Sequence, residues 1–182
     1  MDKDNNEYLY KDRKYDVVPY DSNWSNQFVE YALKIKKIFG DVQIEHIGST
    51  SVPGMLGKSC IDILVIVQDL KIVEDHVVDM ELAGFEYAGQ FVVDDSRLFR
   101  VMQNNVLLAN VHFFPVGHPH NKEMLGLRDY LRVHPKEVNA YSKIKNELYL
   151  KYPNDYASYR KYKDEYMEGL KKRALNNQSE GA

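Results

Sequence analysis

Val42-Gln43-Ile44-Glu45-His46-Ile47, Gly48-Ser49-Thr50-Ser51-Val52-Pro53-Gly54-Met55-Leu56-Gly57-Lys58-Ser59 and Cys60-Ile61-Asp62-Ile63-Leu64-Val65-Ile66-Val67 are three consecutive stretches, and the fold turns on them. The first is short and alternates, as a half-buried strand does. The second is dense in small residues and reads as a loop with one helical turn. The third is almost continuously apolar and β-branched, which suits a strand inside a sheet with helices on both faces. An aspartate in such a run demands a reason, because a buried carboxylate without a partner is costly.

Upstream, Trp24, Phe28, Tyr31, Ile35 and Ile38 recur at intervals of four, three, four and three, one stripe of a helix. Asp21 or Ser22 can cap its start and Gly40 closes it. Downstream, residues 69–83 read as a helix with Ile72, His76, Val77, Met80 and Leu82-Ala83 near one face. Phe85-Glu86-Tyr87, Phe91-Val92-Val93 and Arg97-Leu98-Phe99-Arg100-Val101 read as short antiparallel strands. Asn104-Asn105 fits a hairpin turn before a strand from Val106 to Phe114. His134-Pro135 marks a helix start, and Val138, Tyr141, Lys145, Leu148 and Tyr152 follow a helical repeat. After Pro153-Asn154-Asp155 a second stripe runs through Tyr156, Tyr159, Lys163, Tyr166 and Leu170. The expected organisation is an α/β core over 15–118, a helical segment packed on it over 119–173, and flexible ends at 1–14 and 174–182.

The chain of 182 residues is 44% apolar, enough for a core, and its 24 basic against 27 acidic residues give a net charge of −3. That balance argues against general nucleic-acid binding, though not against a local basic pocket. Cys60 stands alone, which excludes an internal disulfide framework and a multi-thiolate zinc site. No apolar run approaches the roughly 20 residues of a membrane span. Met1-Asp2-Lys3-Asp4-Asn5-Asn6 lacks the apolar centre of a secretion signal. A cytoplasmic protein with no membrane association is the expectation.

Gly57-Lys58-Ser59 imitates the end of a Walker A loop, but Val52 stands where that loop needs its first glycine. The order is also reversed, since a P-loop follows a strand and opens a helix. A better constellation is Gly48-Ser49 at the end of one strand and Asp62 inside the next, thirteen positions after Ser49. A Gly-Ser turn presents amides and a hydroxyl to a phosphate. A neighbouring carboxylate can hold the cation that bridges such phosphates.

Four segments carry a resemblance. They are Tyr20-Asp21-x-x-Trp24, the run from Ile44 to Gly54, Ile61-Asp62-Ile63-Leu64-Val65, and Arg128-Asp129-Tyr130-Leu131-Arg132-x-His134-Pro135. Together they resemble the GrpB family from about Tyr15 to about Gly169. The resemblance implies a nucleotidyltransferase-like fold, α/β (α+β), with a mixed sheet, flanking helices and a helical C-terminal third. The family also occurs fused to dephospho-CoA kinase in some bacteria. Nucleotidyltransferases usually carry two carboxylates one residue apart on the strand after Gly-Ser, and a third on a later strand. Asp62 fits the first position, Leu64 occupies the second, and the later strand offers Asn110 and His112 but no acid. The GrpB pattern often has histidine where this chain has Asn110.

The candidate residues follow, each with a plainer alternative. Asp62, His46 and His112 are the candidates for catalysis. Asp62 and Glu45 are the candidates for a Mg²⁺ ion. Gly48, Ser49, Thr50, Lys58, Arg97, Arg100, Arg128 and Arg132 are the candidates for holding phosphate, since guanidinium forks and ammonium groups suit anions. Against these, Asp62 could pair structurally with Lys58, His46 could be a hydrogen-bonded core histidine, and the arginines could form ordinary salt bridges. Seven of the fourteen tyrosines lie between Tyr141 and Tyr166, and at helical spacing they suit core or interface. Three functional readings result. The first is nucleotidyl or phosphoryl transfer to an unknown small molecule. The second is non-catalytic binding of a nucleotide or phosphometabolite. The third is an accessory interaction domain that forms a homodimer through its tyrosine-rich helices.

Overall fold

Helix α1 (Asn23–Phe39) begins where the sequence predicts, and Asp21 rather than Ser22 caps it, since the Asn23 amide donates to Asp21 Oδ1 at 2.8 Å. Trp24 and Ile35 are buried, and Phe28, Tyr31 and Ile38 pack against the same core, so the predicted stripe is the face turned to the sheet. This computed structural model describes residues 14–90 and 93–180. The expectation of a loose arm therefore lies, over residues 1–13, outside the described residues, as does the chain end at 181–182.

Five strands form one mixed sheet in the order β1-β2-β5-β4-β3: β1 (Gln43–Ile47), β2 (Ile61–Val67), β3 (Glu86–Gly89), β4 (Arg97–Gln103) and β5 (Val106–Pro115). β2 runs parallel to β5 and antiparallel to β1, so its backbone is satisfied on both edges. Alternation then divides its side chains between two cores. Ile61, Ile63, Val65 and Val67 meet Trp24, Ile35, Phe39, Val111 and Phe113 on one face. Leu64 meets Ile47 and Phe114 on the other, covered by Met124 and Leu125. Asn104 and Asn105 join β4 to β5 with φ of 49° and 62°, the left-handed pair that a two-residue hairpin turn requires.

The single helix expected over 69–83 is two: α2 (Lys71–Asp75) and α3 (Val77–Leu82). They break at His76, whose Nδ1 pairs with the Ile72 carbonyl at 2.9 Å and competes with the helical ladder. Val73, Val77 and Met80, at spacings of four and three, keep one core-facing stripe across the break, and Ile72 and Leu82 are exposed. Of the strand expected at Phe91–Val93, Phe91 and Val92 lie outside the described residues.

The last third is three helices, α4 (Pro119–Val133), α5 (Pro135–Lys151) and α6 (Tyr156–Glu180). Proline opens α4 and α5, and the Ser158 amide donates to Asp155 Oδ1 at 3.0 Å to cap α6. α6 runs past the expected frayed end at 174, because Ala174 is buried and anchors the added turns. Tyr156 and Tyr159 gather Tyr15, Tyr149 and Tyr152 into one cluster, and Tyr141 stacks on Tyr166 with centroids 5.6 Å apart. Of the tyrosines in this stretch Tyr141, Tyr156 and Tyr159 are buried, Tyr149, Tyr152 and Tyr166 are half-buried, and Tyr162 is exposed.

Ile63 is fully buried between β2's neighbours and α1. Ile63→Ala is expected to lower unfolding free energy by about 2–5 kcal/mol, seen in urea titration as a lower midpoint with an unchanged slope.

Candidate functional site

The site grows from the way β1 ends. Ile47 pairs with Asp62 across the β1–β2 ladder, so the chain leaves β1 directly beside the Asp62 carboxylate. Gly48 has φ +72°, and a Cβ there would lie 2.5 Å from Asp62 Oδ2. Glycine is needed twice over, for its backbone angle and for its missing side chain. A 3-10 turn, Ser49–Ser51, follows, and the Ser51 hydroxyl donates to the Gly48 carbonyl at 2.7 Å. From β5, Asn110 stands opposite Asp62 and donates Nδ2 to Asp62 Oδ1 at 2.9 Å.

The helical third supplies what the strands lack. Lys145 on α5 is only 2% exposed, and its Nζ donates to Ser49 Oγ at 3.0 Å and to the Leu56 carbonyl. The amine also lies 4.5 Å from the Tyr141 ring centroid. Burial, then the nearby charges of Lys163 and Lys58, push its pKa down to about 7. Lys58 Nζ donates to the Tyr156 hydroxyl at 2.6 Å. Gly57 closes the loop over the serine, for a Cβ there would meet Ser49 Cβ at 2.9 Å. Backbone hydrogen bonds between Val18 and Gly57, at 2.8 and 3.0 Å, pin that loop. A cavity of about 430 Å³ at the start of β2 is lined by Lys58, Ser59, Cys60, Arg100 and Asp16 among others; Asp62, Asn110, Ser49 and Lys145 do not line it.

The other expected site residues divide by sheet face. Arg100 pairs with Asn110 across the β4–β5 ladder and so shares the face of Asp62, as does His112. Burial lowers the His112 imidazole below its usual range. Asp62 pulls it up, while Arg100 and His120 push it down. His46, by contrast, alternates to the opposite face, where its ring stacks on Phe28 at 4.7 Å and shares a 3.0 Å hydrogen bond with Thr50 Oγ1. His46 therefore lies on the sheet face opposite Asp62, and the Thr50 hydroxyl is bonded to its ring. Burial, opposed by Asp62, pushes His46 down to about 4, as a neutral core histidine requires. Arg97 also lies on that far face, bonded to Glu74 and to the Ser96 carbonyl.

Glu45 and Arg128 form an ion pair with each other. Arg128 Nη1 lies 2.7 Å from Glu45 Oε2 and 3.2 Å from the His46 carbonyl, tying α4 to β1. Burial alone would raise the Glu45 carboxyl, but hydrogen bonds from Arg128 and Gln43 hold it below the usual carboxylate range. Arg132 sits beside the turn and donates to the Ser51 carbonyl at 3.0 Å. A pair of cations does not fit this donor set. Glu45 is engaged, Leu64 is fully buried beneath α4, and Asn110 is an amide that already donates to Asp62. Among the described residues no three His, Cys, Asp or Glu side chains converge. A two-cation centre needs several anionic ligands, and Asp62 is one.

Lys145 is not among the candidate residues that the sequence points to first, although it leaves a signal there: a lysine within an otherwise aromatic and aliphatic helical stripe.

Residues 14–173 match the family model described as GrpB protein. The chain is 31% identical over 169 residues to UPF0157 protein YqkA of Bacillus subtilis, a match covering 92% of this chain and 49% of that protein. It thus spans about half the length of that relative. The crystal structure of conserved protein GrpB from Enterococcus faecalis superposes with a TM-score of 0.84 at 31% identity, over 90% of this chain and 99% of that one. The Cid1 poly(U) polymerase with Mg 3′-dATP bound superposes with a TM-score of 0.53 at 16% identity, over 74% of this chain and 43% of that one. That last likeness is one of fold.

Two outcomes test the geometry. Gly48→Ala is expected to cost about 1–3 kcal/mol, read as a lower unfolding midpoint, whereas Gly54→Ala, with open space at its Cβ, carries the backbone cost alone. Because His46 is held neutral, the unfolded chain binds its proton first as pH falls. Stability should be full above about pH 6.5 and drop as pH falls toward about 4. His46→Gln should flatten that part of a melting-temperature profile.

Proposed function

The chain belongs to the GrpB family, and on that premise we propose that it binds a nucleotide or another phosphorylated small molecule against the Gly48-Ser49 turn, with lysine charge doing what a metal pair does in related folds. One observation carries this reading: Lys145 is a buried amine aimed at Ser49, and its two hydrogen-bond partners, a hydroxyl and a carbonyl, are neutral. A buried ammonium is stabilised by a counter-charge, and an anion seated beside Ser49 supplies one. Lys58, whose charge acts on Lys145, also lines the cavity at the start of β2 together with Arg100. The net charge of −3 confines that attraction to the pocket. Among the described residues no helix is long and apolar enough to cross a membrane. We assign the protein to the cytoplasm, where phosphorylated metabolites are abundant.

Asp62 favours a second reading, nucleotidyl or phosphoryl transfer to a small-molecule acceptor. Its carboxylate stands against the Gly-Ser turn and could take a proton from an attacking hydroxyl, with His112 on the same face. In this reading a Mg²⁺ ion would arrive with the triphosphate.

Calorimetric titration with pyrophosphate, ATP and UTP, each with EDTA and with Mg²⁺, separates the two. Binding that persists in EDTA is expected, weakened at least tenfold by Lys145→Met, a change of about 1.4 kcal/mol, and untouched by Arg97→Met on the far face. Absence of binding to all three compounds would overturn the reading, and binding only with Mg²⁺ would favour transfer.

A further inference from the structure

Ser49 and Lys145 have a geometry that anion binding alone does not use. Ser49 is half-buried, whereas Lys145 is only 2% exposed. Their polar atoms are 3.0 Å apart. The Leu56 carbonyl accepts a second hydrogen bond from the same nitrogen and so orients it. Gly57 abuts the Ser49 Cβ and limits its rotation. A hydroxyl, a base within hydrogen-bond reach and a third group that fixes the base form the arrangement that activates a weak nucleophile. Such arrangements are recognised by geometry and role rather than by position in the sequence.

We propose that Ser49 is a nucleophile and Lys145 its general base, so that the pocket can accept a phosphoryl group covalently from a phosphoanhydride. The identity of that donor rests on the anion-binding reading above; the reactivity of the pair does not. In the step, the neutral Lys145 amine takes the Ser49 hydroxyl proton as Oγ forms a bond to phosphorus. The bond from phosphorus to the bridging oxygen breaks, and that oxygen departs with the electron pair as a phosphate or pyrophosphate anion. Lys145 is left as an ammonium ion beside the departing anion, which favours the products' charge distribution.

The groups around the amine support a base that is neutral near physiological pH. Lys58 reaches it from the loop, with Tyr156 bonded to that lysine. Lys163 reaches it from α6, itself 2.7 Å from Asp164. Tyr141 lies beneath it on α5. Two cations and a buried position lower its pKa to about 7, so a substantial fraction is free amine before the donor binds; a bound anion raises that pKa, and the reacting species is the fraction that stays unprotonated.

The test is labelling of the full chain by an uncharged fluorophosphonate, followed by intact mass and peptide mapping. The probe loses fluoride, carries no anionic group and so reports the pair without the anion site. Labelling of Ser49 is expected, with a rate that rises with pH through a midpoint near 7 and levels above it. Ser49→Ala should abolish it, and Lys145→Met and Lys145→Arg should slow it at least 100-fold. The pH profile of the unaltered chain stands whether or not the variants fold. No label at Ser49, a profile without a midpoint between pH 6 and 8, or equal rates in well-folded Lys145 variants would overturn the proposal. Loss of pyrophosphate binding with Ser49 labelling intact would overturn the anion reading alone.

Discussion

A single buried amine joins the two halves of this protein. Lys145 lies on a helix of the C-terminal third, and its contact with Ser49 spans 96 positions of sequence. Removing a lysine from water is costly, and the cost is reduced only by the hydrogen bonds it makes inside. Here those bonds go to Ser49 and to the Leu56 carbonyl, both in the loop between β1 and β2. The helical third is therefore part of the site. Loop, turn and α5 hold one another, and the Val18–Gly57 bridge fastens the same loop from the other side.

The same packing explains why the carboxylate set is thin. On the face of Asp62, α4 lays Met124 and Leu125 over Leu64, Ile47 and Phe114. An acid at position 64 would be sealed under that helix, where ionisation is penalised by desolvation. Glu45, directly opposite Leu64 on β1, is reached by Arg128 of the same helix. What α4 covers it removes from ligand chemistry. What remains open is Asp62 with Asn110, the ladder partner of Arg100. Among the cations around the Ser49 turn and the cavity at the start of β2 are Lys145, Lys58 and Arg100, and Asp62 is the acid beside Gly48.

Much of the scaffold was legible before any coordinates. The α1 stripe, the apolar β2 run, the Asn104-Asn105 hairpin and the proline-opened helices all rest on local rules, namely side-chain periodicity and backbone preference. The failures were local in cause but invisible in pattern. His76 divides a helix because its own ring competes for a carbonyl, and α6 continues because Ala174 happens to be buried. In the site, Gly48, Ser49 and Asp62 were legible because a Gly-Ser turn before an acid-bearing strand is unusual. Lys145 was visible only as an interruption of a stripe, a signal that fits a surface lysine equally well.

By itself the sequence determined the strand–loop–strand unit, the helical third and the presence of one acid beside one Gly-Ser turn, since each depends on neighbours within a few residues. The tertiary structure alone decided sides and partners. Alternation says that Glu45 and His46 point to opposite faces, but only the pairing of Ile47 with Asp62 tells which of them shares the aspartate's face. Likewise Arg128 is a structural tie and Arg97 a distant one because of the helices they meet, α4 against β1 and α2 beneath the sheet. Register and helix docking are settled by burial summed over the whole chain, and a short window of residues does not contain that sum.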